Sequence, residues 1–313
     1  SGKKDLALVY SSSPARAAAV FTTNQIKGAP VLVSQEHVRD GRAQAILASA
    51  GCSNVCTGEQ GVKDAREMTR ITGELLRIPP RQVLIASTGV IGQPLPMDKI
   101  RAALPKLVKG LSPQGGRLAA EAIMTTDTRP KEAALRVDVA GRPVTIGGIA
   151  KGVGMLEPHL ATMFCFLATD AMVARDSLPR VLRRATDRSF NRITVDSDQS
   201  TSDTVAILAN GLAENAPLER GGKGLRRFAR ALEAITERLA RMLVEDGEGA
   251  TKLVEVAVRG ARTRREAVIA ARSVANSPLV KTAINGADPN WGRIMMALGK
   301  SPARVAADRV AIT

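Results

Sequence analysis

The amino-acid sequence predicts a mixed α/β protein in which short strands and amphipathic helices build a large layered core. The N-terminal third alternates short apolar runs with turn-forming residues, which is typical of strands. Two longer segments, near residues 61–78 and 224–245, instead repeat apolar residues at helical spacing. A chain of 313 residues with 44% hydrophobic content can fill two lobes or one layered domain.

Individual elements follow from the same patterns. The N-terminal apolar runs DLALVY, AAAVFTT, APVLVS and AQAILAS predict strands. Strands are also predicted for QVLIAST, for the two halves of AALRVDVAGRPVTIGGIA, for the buried run MFCFLA and for RITVDS. Further helices are predicted near 97–109 and 176–186. The polar segment DQSTSDT is predicted to cap a helix that starts near Asp203.

The chain is strongly basic, with a formal net charge of +15. The positive charge is divided almost evenly, with +8 over residues 1–161 and +7 over residues 162–313. It is therefore not concentrated in a basic arm or tail. Aromatic residues make up only 2% of the chain, which disfavours stacking on single-stranded nucleic acid. Basic residues often stand beside acidic ones, as on solvated surfaces. We therefore expect no nucleic-acid partner.

Metal, disulfide and membrane chemistry are poorly supported. Cys52, Cys56 and Cys165 are an odd number of cysteines, and the C-x3-C pair has no second pair to complete a zinc site. The segment DSDQST resembles the start of a calcium loop, but Thr201 stands where Gly is needed and Ile207 where Glu is needed. The chain opens without an apolar leader, and no run approaches a membrane span. We expect a cytoplasmic protein with no metal and no cofactor.

Hydroxyl chemistry without histidine is the catalytic chemistry that remains. His37, predicted to lie in a surface turn, and His159 are the two histidines, and neither lies near a nucleophile signature. A threonine at a new chain N-terminus uses its own α-amine as the base, whose ordinary pKa is about 7.7 to 8.0. The Ala161-Thr162 bond suits this origin, since the Thr162 hydroxyl can attack the preceding carbonyl through a five-membered ring. Taken alone, a threonine that begins a strand is ordinary structure.

Nine sequence blocks carry a specific resemblance. They follow in order from about residue 4 to residue 295: KDLALV, AAVFTTN, CTGEQG, STGVIGQPLP, AEAIMTTDTRPK, KGVGMLEPHLATM, SFNRITVDSDQSTSDT, DGEGATKL and DPNWGRI. Together they resemble the ornithine acetyltransferase family, also called bifunctional glutamate N-acetyltransferase.

The resemblance implies a fold and a reaction. The fold is a four-layer α-β-β-α sandwich with helices outside two sheets. Autocleavage between Ala161 and Thr162 would give an α chain of residues 1–161 and a β chain of residues 162–313. Thr162 would take acetyl from N-acetylornithine and pass it to glutamate by a ping-pong mechanism in arginine biosynthesis. Whether acetyl-CoA is a second donor stays open, and a dimer of α-β heterodimers is implied.

The resemblance also implies roles for particular residues. Thr88 and Gly89 match the family's oxyanion-hole pair. The match is chemically reasonable, because a hydroxyl and a backbone N–H at a strand-to-turn junction can converge on one oxygen. The substrate-contacting positions match Thr125, Lys151, Thr162 and Glu248. Thr126 is adjacent to Thr125, so either hydroxyl fits that position. The Glu248 carboxylate would pair with the side-chain ammonium of ornithine, although a carboxylate between glycines also fits a solvated loop.

The sequence departs from the family pattern at several points. Residues 49–54 read SAGCSN where the family has NSGNAN, Val153 replaces a small hydroxyl residue, and Ser202 stands in place of Asn. The family's C-terminal segment, which supplies an Asn and a Thr to the substrate site, is not visible, and the start is several residues late. We therefore expect a β chain truncated at its C-terminal end.

Two other functions fit parts of the sequence. A related self-cleaving aminopeptidase or amidohydrolase would use an N-terminal Ser or Thr on a similar sandwich, and the ratio of acetyl transfer to amide hydrolysis would distinguish it. A basic binding protein that keeps the fold without processing would remain one chain under denaturing electrophoresis.

Overall fold

The computed structural model describes residues 4–139, 141–157 and 163–313. Within these ranges the chain forms eight strands and nine α-helices. The strands are β1 (Leu6–Tyr10), β2 (Arg16–Phe21), β3 (Ala45–Cys52), β4 (Val83–Val90), β5 (Lys131–Val139), β6 (Arg142–Lys151), β7 (Phe164–Thr169) and β8 (Thr204–Ala209). The helices are α1 (Ala29–His37), α2 (Gly58–Leu76), α3 (Met97–Lys109), α4 (Gly116–Ala122), α5 (Leu178–Arg188), α6 (Lys223–Glu245), α7 (Arg264–Ala275), α8 (Pro278–Asn285) and α9 (Trp291–Gly299).

The strands form two sheets. The smaller has the order β1-β3-β4, with β3 and β4 parallel. The larger has the order β2-β8-β7-β6-β5, with β7 and β8 parallel and its other pairs antiparallel. Each sheet contains one parallel pair, which requires a crossover connection, and α2 and α5 supply helical parts of these connections.

Three apolar clusters show how the sheets and helices are layered. One cluster joins the smaller sheet to α1, α2 and α3, and another joins the larger sheet to α5 and α6. Between them, small residues such as Ala48 and Ala86 on the smaller sheet pack against Phe164 and Phe166 on the larger one. This order of layers confirms the predicted four-layer α-β-β-α sandwich. No helix in the described ranges is long and apolar enough to cross a membrane.

The prediction of a strand at APVLVS is wrong, because the segment forms α1. Pro30 occupies the first turn of the helix, where its missing N–H costs nothing. The Ser34 hydroxyl bonds both the N–H and the carbonyl of Ile85, each at 2.7 Å, and so holds the helix against β4. His37 is buried at the end of α1, with its Nδ1 2.8 Å from the Val83 carbonyl, so the predicted surface turn is also wrong. A short apolar run buried on nearly every side carries no period that separates helix from strand.

Two predictions between residues 193 and 209 are also wrong. RITVDS contains no strand, because the Val195 N–H bonds the Leu156 carbonyl at 2.7 Å and the Asp196 carboxylate accepts the Leu156 N–H at 2.8 Å. These bonds join the segment to the loop that contains Leu156 instead of to a neighbouring β-strand. The helix predicted to start near Asp203 is instead the buried strand β8, which lies between β2 and β7.

Candidate active site

Lys151, the last residue of β6, lies at the centre of a buried polar cluster. Its side chain is 1% exposed, and its Nζ lies 5.9 Å from the centroid of the Phe164 ring. The ammonium donates hydrogen bonds to the hydroxyl oxygens of Thr88 at 3.1 Å and Thr125 at 2.9 Å. The structure therefore brings together three residues that lie far apart in sequence and that the family resemblance assigns to the site.

The protonation of Lys151 is finely balanced. Burial lowers the pKa of its ammonium to about 8, and the nearby carboxylates of Asp127 and Asp203 oppose that shift. Both the charged and the neutral form are thus populated within about one pH unit of 8. A lysine in this state can hold two hydroxyl groups in place and can stabilise negative charge that develops beside them.

Thr88 and Gly89, the predicted oxyanion pair, lie near the end of β4. The Thr88 oxygen accepts the Lys151 bond, so its own hydrogen remains for another acceptor. Gly89 has φ +126°, and a Cβ atom there would lie 2.3 Å from the carbonyl carbon of Gly51 on the paired strand β3. The backbone at this point therefore requires glycine.

A second lysine, Lys131, is completely buried beside the first. Its Nζ bonds Asp127 at 2.7 Å and Asp246 at 2.6 Å. Burial opposes ionisation of Asp127, but Lys151, Lys131 and the Gly152 N–H outweigh it and lower the pKa of that carboxyl. The Asp127 carboxylate also accepts the N–H of Gly152, so this ion-pair network fixes the loop that follows Lys151.

Glu248 lies in the turn after α6, at the edge of the same cluster. Its Oε1 accepts a hydrogen bond of 2.6 Å from the Thr126 hydroxyl, and its N–H donates to the Val153 carbonyl at 2.8 Å. A Cβ atom at Gly154 would lie 2.9 Å from the Glu248 carboxyl carbon, so glycine allows the carboxylate to approach this loop. Both adjacent hydroxyls thus belong to the site: Thr125 contacts Lys151 and Thr126 contacts Glu248.

Asp203 is fully buried at the entry to β8. Its Oδ1 accepts the N–H of Met163 at 2.8 Å, and its Oδ2 has no hydrogen-bond partner in the described part of the chain. Burial raises the pKa of this carboxyl well above its ordinary value, although the Met163 N–H and the Lys151 ammonium oppose the shift. An acid in this position costs stability, which is typical of a group kept for function.

The proposed cleavage site lies outside the described residues. Ala161 and Thr162, together with His159, fall in the range 158–162, which the structure does not describe. The described chain resumes at Met163, whose N–H bonds Asp203, and the next residue, Phe164, faces the Lys151 ammonium. The polar cluster therefore lies beside Phe164, the first residue of β7.

Sequence reasoning missed the ion pairs that support these residues. Asp127 and Lys131 stand in the block MTTDTRPK, Asp246 begins DGEGATKL, and Asp203 lies in STSDT. The one clue to these residues in the sequence was that they are charged and lie inside the blocks that resemble the family. That clue does not predict burial, because polar residues in loops are usually solvated. Within the described ranges, no group of three or more His, Cys, Asp or Glu side chains is arranged to hold a metal ion.

We expect Lys151 to cost stability below pH 8 and less above it. The unfolded lysine has an ordinary pKa of 10.5 and the folded one about 8, so between these values the unfolded state binds more protons. The free energy of unfolding should therefore rise with pH over this window by about 3 kcal/mol relative to Lys151→Met. Urea unfolding of both proteins from pH 7 to 10.5 measures the difference, with a Thr162→Ala background to keep the chain uncut. A constant difference would contradict the pKa assigned to Lys151.

The sandwich and its lysine-hydroxyl cluster define an α/β enzyme with a buried polar site between residues of both sheets. The chain belongs to the ArgJ family, whose model matches residues 1–313. It is 53% identical to the arginine biosynthesis bifunctional protein ArgJ of Symbiobacterium thermophilum, over 99% of this chain and 77% of that protein. It is 51% identical to the ArgJ protein of Geobacter sulfurreducens, over 98% and 78%. The predicted family and the assignment to an arginine-biosynthesis acyltransferase are confirmed.

Solved structures of the family match about half of the chain. The ArgJ protein of Bacillus halodurans is 39% identical with a TM-score of 0.47, and the match covers 51% of this chain and 82% of that one. An ornithine acetyltransferase from Mycobacterium tuberculosis, solved with ornithine, is 37% identical with a TM-score of 0.44, over 49% and 82%.

Proposed function

We propose that this enzyme moves acetyl from N-acetylornithine to glutamate through an acetylated Thr162, formed after the chain cuts itself between Ala161 and Thr162. The observation that carries this proposal is the buried Lys151, which bonds the hydroxyls of Thr88 and Thr125 and lies beside Phe164 at the start of β7. Membership of the ArgJ family supports the same reaction.

The first half-reaction needs a base, a nucleophile and an oxyanion site. The α-amine of Thr162 takes the hydroxyl proton as Oγ attacks the acetyl carbonyl, and the oxyanion forms. The C–N bond then breaks, the amine proton passes to the leaving amino group, and ornithine departs from the acetyl ester. Thr88 and Gly89 would stabilise the oxyanion, with the Lys151 ammonium increasing the donor strength of the Thr88 hydroxyl.

The second half-reaction reverses these steps with glutamate. Its amine attacks the acetyl ester, the C–O bond to Thr162 breaks, and N-acetylglutamate leaves. Acetyl-CoA would enter the cycle as an alternative donor to the same threonine. We further propose that the α chain of residues 1–161 and the β chain of residues 162–313 remain associated in the cytoplasm and form a dimer of heterodimers.

Incubation with acetyl-labelled N-acetylornithine and unlabelled glutamate tests the reaction. The label should appear in N-acetylglutamate, and with no acceptor present it should remain on a peptide that begins at Thr162. Label released only as free acetate would identify an amidohydrolase. An uncut chain that transfers nothing would identify a binding protein.

Glu248→Gln should raise the KM for N-acetylornithine at least about ten-fold, because a carboxylate that pairs with an ammonium contributes more than a neutral amide. Thr126 occupies Oε1 of Glu248, which leaves Oε2 for the cationic side chain of the donor. Autocleavage should proceed as in the parent, since cutting needs no ornithine. Steady-state kinetics with varied donor and denaturing electrophoresis measure the two effects.

Glu245→Gln is the matched control for this variant. Glu245 is an exposed carboxylate at the end of α6 that pairs with Arg129 at 3.0 Å, outside the cluster. Its KM for N-acetylornithine should stay close to that of the parent. Equal KM values for Glu248→Gln and Glu245→Gln would show that Glu248 is a solvated loop residue.

A further inference from the structure

Six arginines line one cavity beside the candidate active site. The cavity has a volume of about 690 Å³ and lies between α5, the turn that follows it, and α7. Asp187 is the one acidic side chain among the described residues that line it. We call these residues the arginine cluster: Arg184, Arg188, Arg192, Arg264, Arg265 and Arg272.

The charges of the arginine cluster are only partly compensated. Glu233 pairs with Arg184 at 2.6 Å and with Arg188 at 2.8 Å. Among the described residues, Arg192, Arg264 and Arg265 form no ion pair with a carboxylate. Burial and the neighbouring guanidinium groups lower the pKa of Arg192, which shows like charges held close together. An anion in this cavity would relieve that repulsion.

Part of the arginine cluster also lines a second cavity, which extends to Glu248. This second cavity, of about 760 Å³, is lined by Arg188, Arg192 and Arg272 and also by Glu248. Apolar side chains such as Val195 line the same cavity. A ligand anchored at the arginines would therefore have room for an uncharged arm that extends toward the candidate active site.

We propose that the arginine cluster binds the phosphate groups of a coenzyme A thioester, whose uncharged arm lies in the cavity shared with Glu248. Guanidinium groups bind phosphate oxygens in pairs of hydrogen bonds, and several arginines suit a nucleotide with more than one phosphate. The identity of this ligand rests on the proposed function, which includes acetyl-CoA as an alternative acetyl donor. The phosphate chemistry of the cavity does not depend on that function.

Calorimetric titration with coenzyme A, at a fixed ionic strength of about 0.15 M, tests the site. The double variant Arg264→Gln/Arg265→Gln should bind at least about ten-fold more weakly than the parent, because charge-assisted hydrogen bonds are lost. The matched control is Arg180→Gln/Arg183→Gln, which removes the same charge from exposed positions of α5 outside both cavities. The control should bind as the parent does.

Further titrations identify the source of the phosphate. Adenosine 3′,5′-bisphosphate should compete with coenzyme A, whereas inorganic pyrophosphate that binds as tightly as coenzyme A would overturn the assignment to the coenzyme. Equal weakening in both double variants would also overturn it, since only net charge would matter. Duplex DNA that binds more tightly than coenzyme A at the same salt would make the cluster a nucleic-acid surface instead.

The two proposals fail separately. Absence of coenzyme A binding would overturn the arginine site even if acetyl moves normally from N-acetylornithine to glutamate. Conversely, binding that depends on Arg264 and Arg265 supports the site even if that transfer is not detected.

Discussion

Thr162→Ala is expected to yield one uncut chain of 33.0 kDa with no acetyl transfer above background. The variant loses the hydroxyl that the proposed mechanism uses to attack the Ala161 carbonyl, so neither the ester nor the new α-amine should form. Transfer then lacks both its nucleophile and its base, and losses of this kind reach about a million-fold in a well-studied protease. Denaturing electrophoresis shows the cut, and labelled N-acetylornithine with glutamate shows the transfer.

Thr162→Ser is the conservative companion to this variant. Serine keeps a hydroxyl in the same position, so the chain should still separate into pieces of residues 1–161 and 162–313. Two such fragments from Thr162→Ala would overturn the self-cleavage mechanism. A cut at any other bond in Thr162→Ser would place the nucleophile elsewhere.

Lys131→Met is expected to lower the free energy of unfolding by about 3 to 5 kcal/mol, because it leaves the buried carboxylates of Asp127 and Asp246 without their cation. Methionine has a similar length and no charge, so most of the loss comes from the ion pairs and little from packing. Urea unfolding in the Thr162→Ala background measures it on a single chain. Because Asp127 also holds the Gly152 N–H, cleavage in the Thr162 protein should slow as well.

Arg70→Met is the control for this prediction. Arg70 pairs with Glu74 at 2.7 Å on an exposed face of α2, and such pairs contribute about 0.3 to 0.5 kcal/mol. Its unfolding free energy should therefore stay close to that of the parent. A similar small loss for Lys131→Met would show that the buried network does not hold the site together.

Much of the site was predictable from the sequence because its residues lie in blocks with a specific order. Thr88, Thr125 and Lys151 came from separate blocks, and the structure brings them into contact. The residues that hold them were not predicted. Lys131 has no sequence feature that distinguishes a buried lysine from a solvated one, because burial depends on which elements cover it.

Segments with a clear period were also predictable. The helix near residues 224–245 is α6, and the alternating runs at the start of the chain are β1, β2 and β3. APVLVS became a helix because β4 covers it, and the entry to β8 became a strand because β2 and β7 lie on either side. Periodicity shows which faces of a segment are buried, so a short run that is buried on most sides does not distinguish a helix from a strand.

The sequence by itself determined the strand and helix periods, the absence of a histidine-based nucleophile motif and the ordered blocks that place the chain in its family. Only the tertiary structure decided which groups meet. The charge that is even along the chain becomes uneven in space, because α5 and α7 bring two sets of arginines to one cavity. Likewise, the packing of the two sheets buries Lys151 against Phe164 and lowers its pKa. Charge interactions depend on distance and burial, and folding sets both between residues that are remote in sequence.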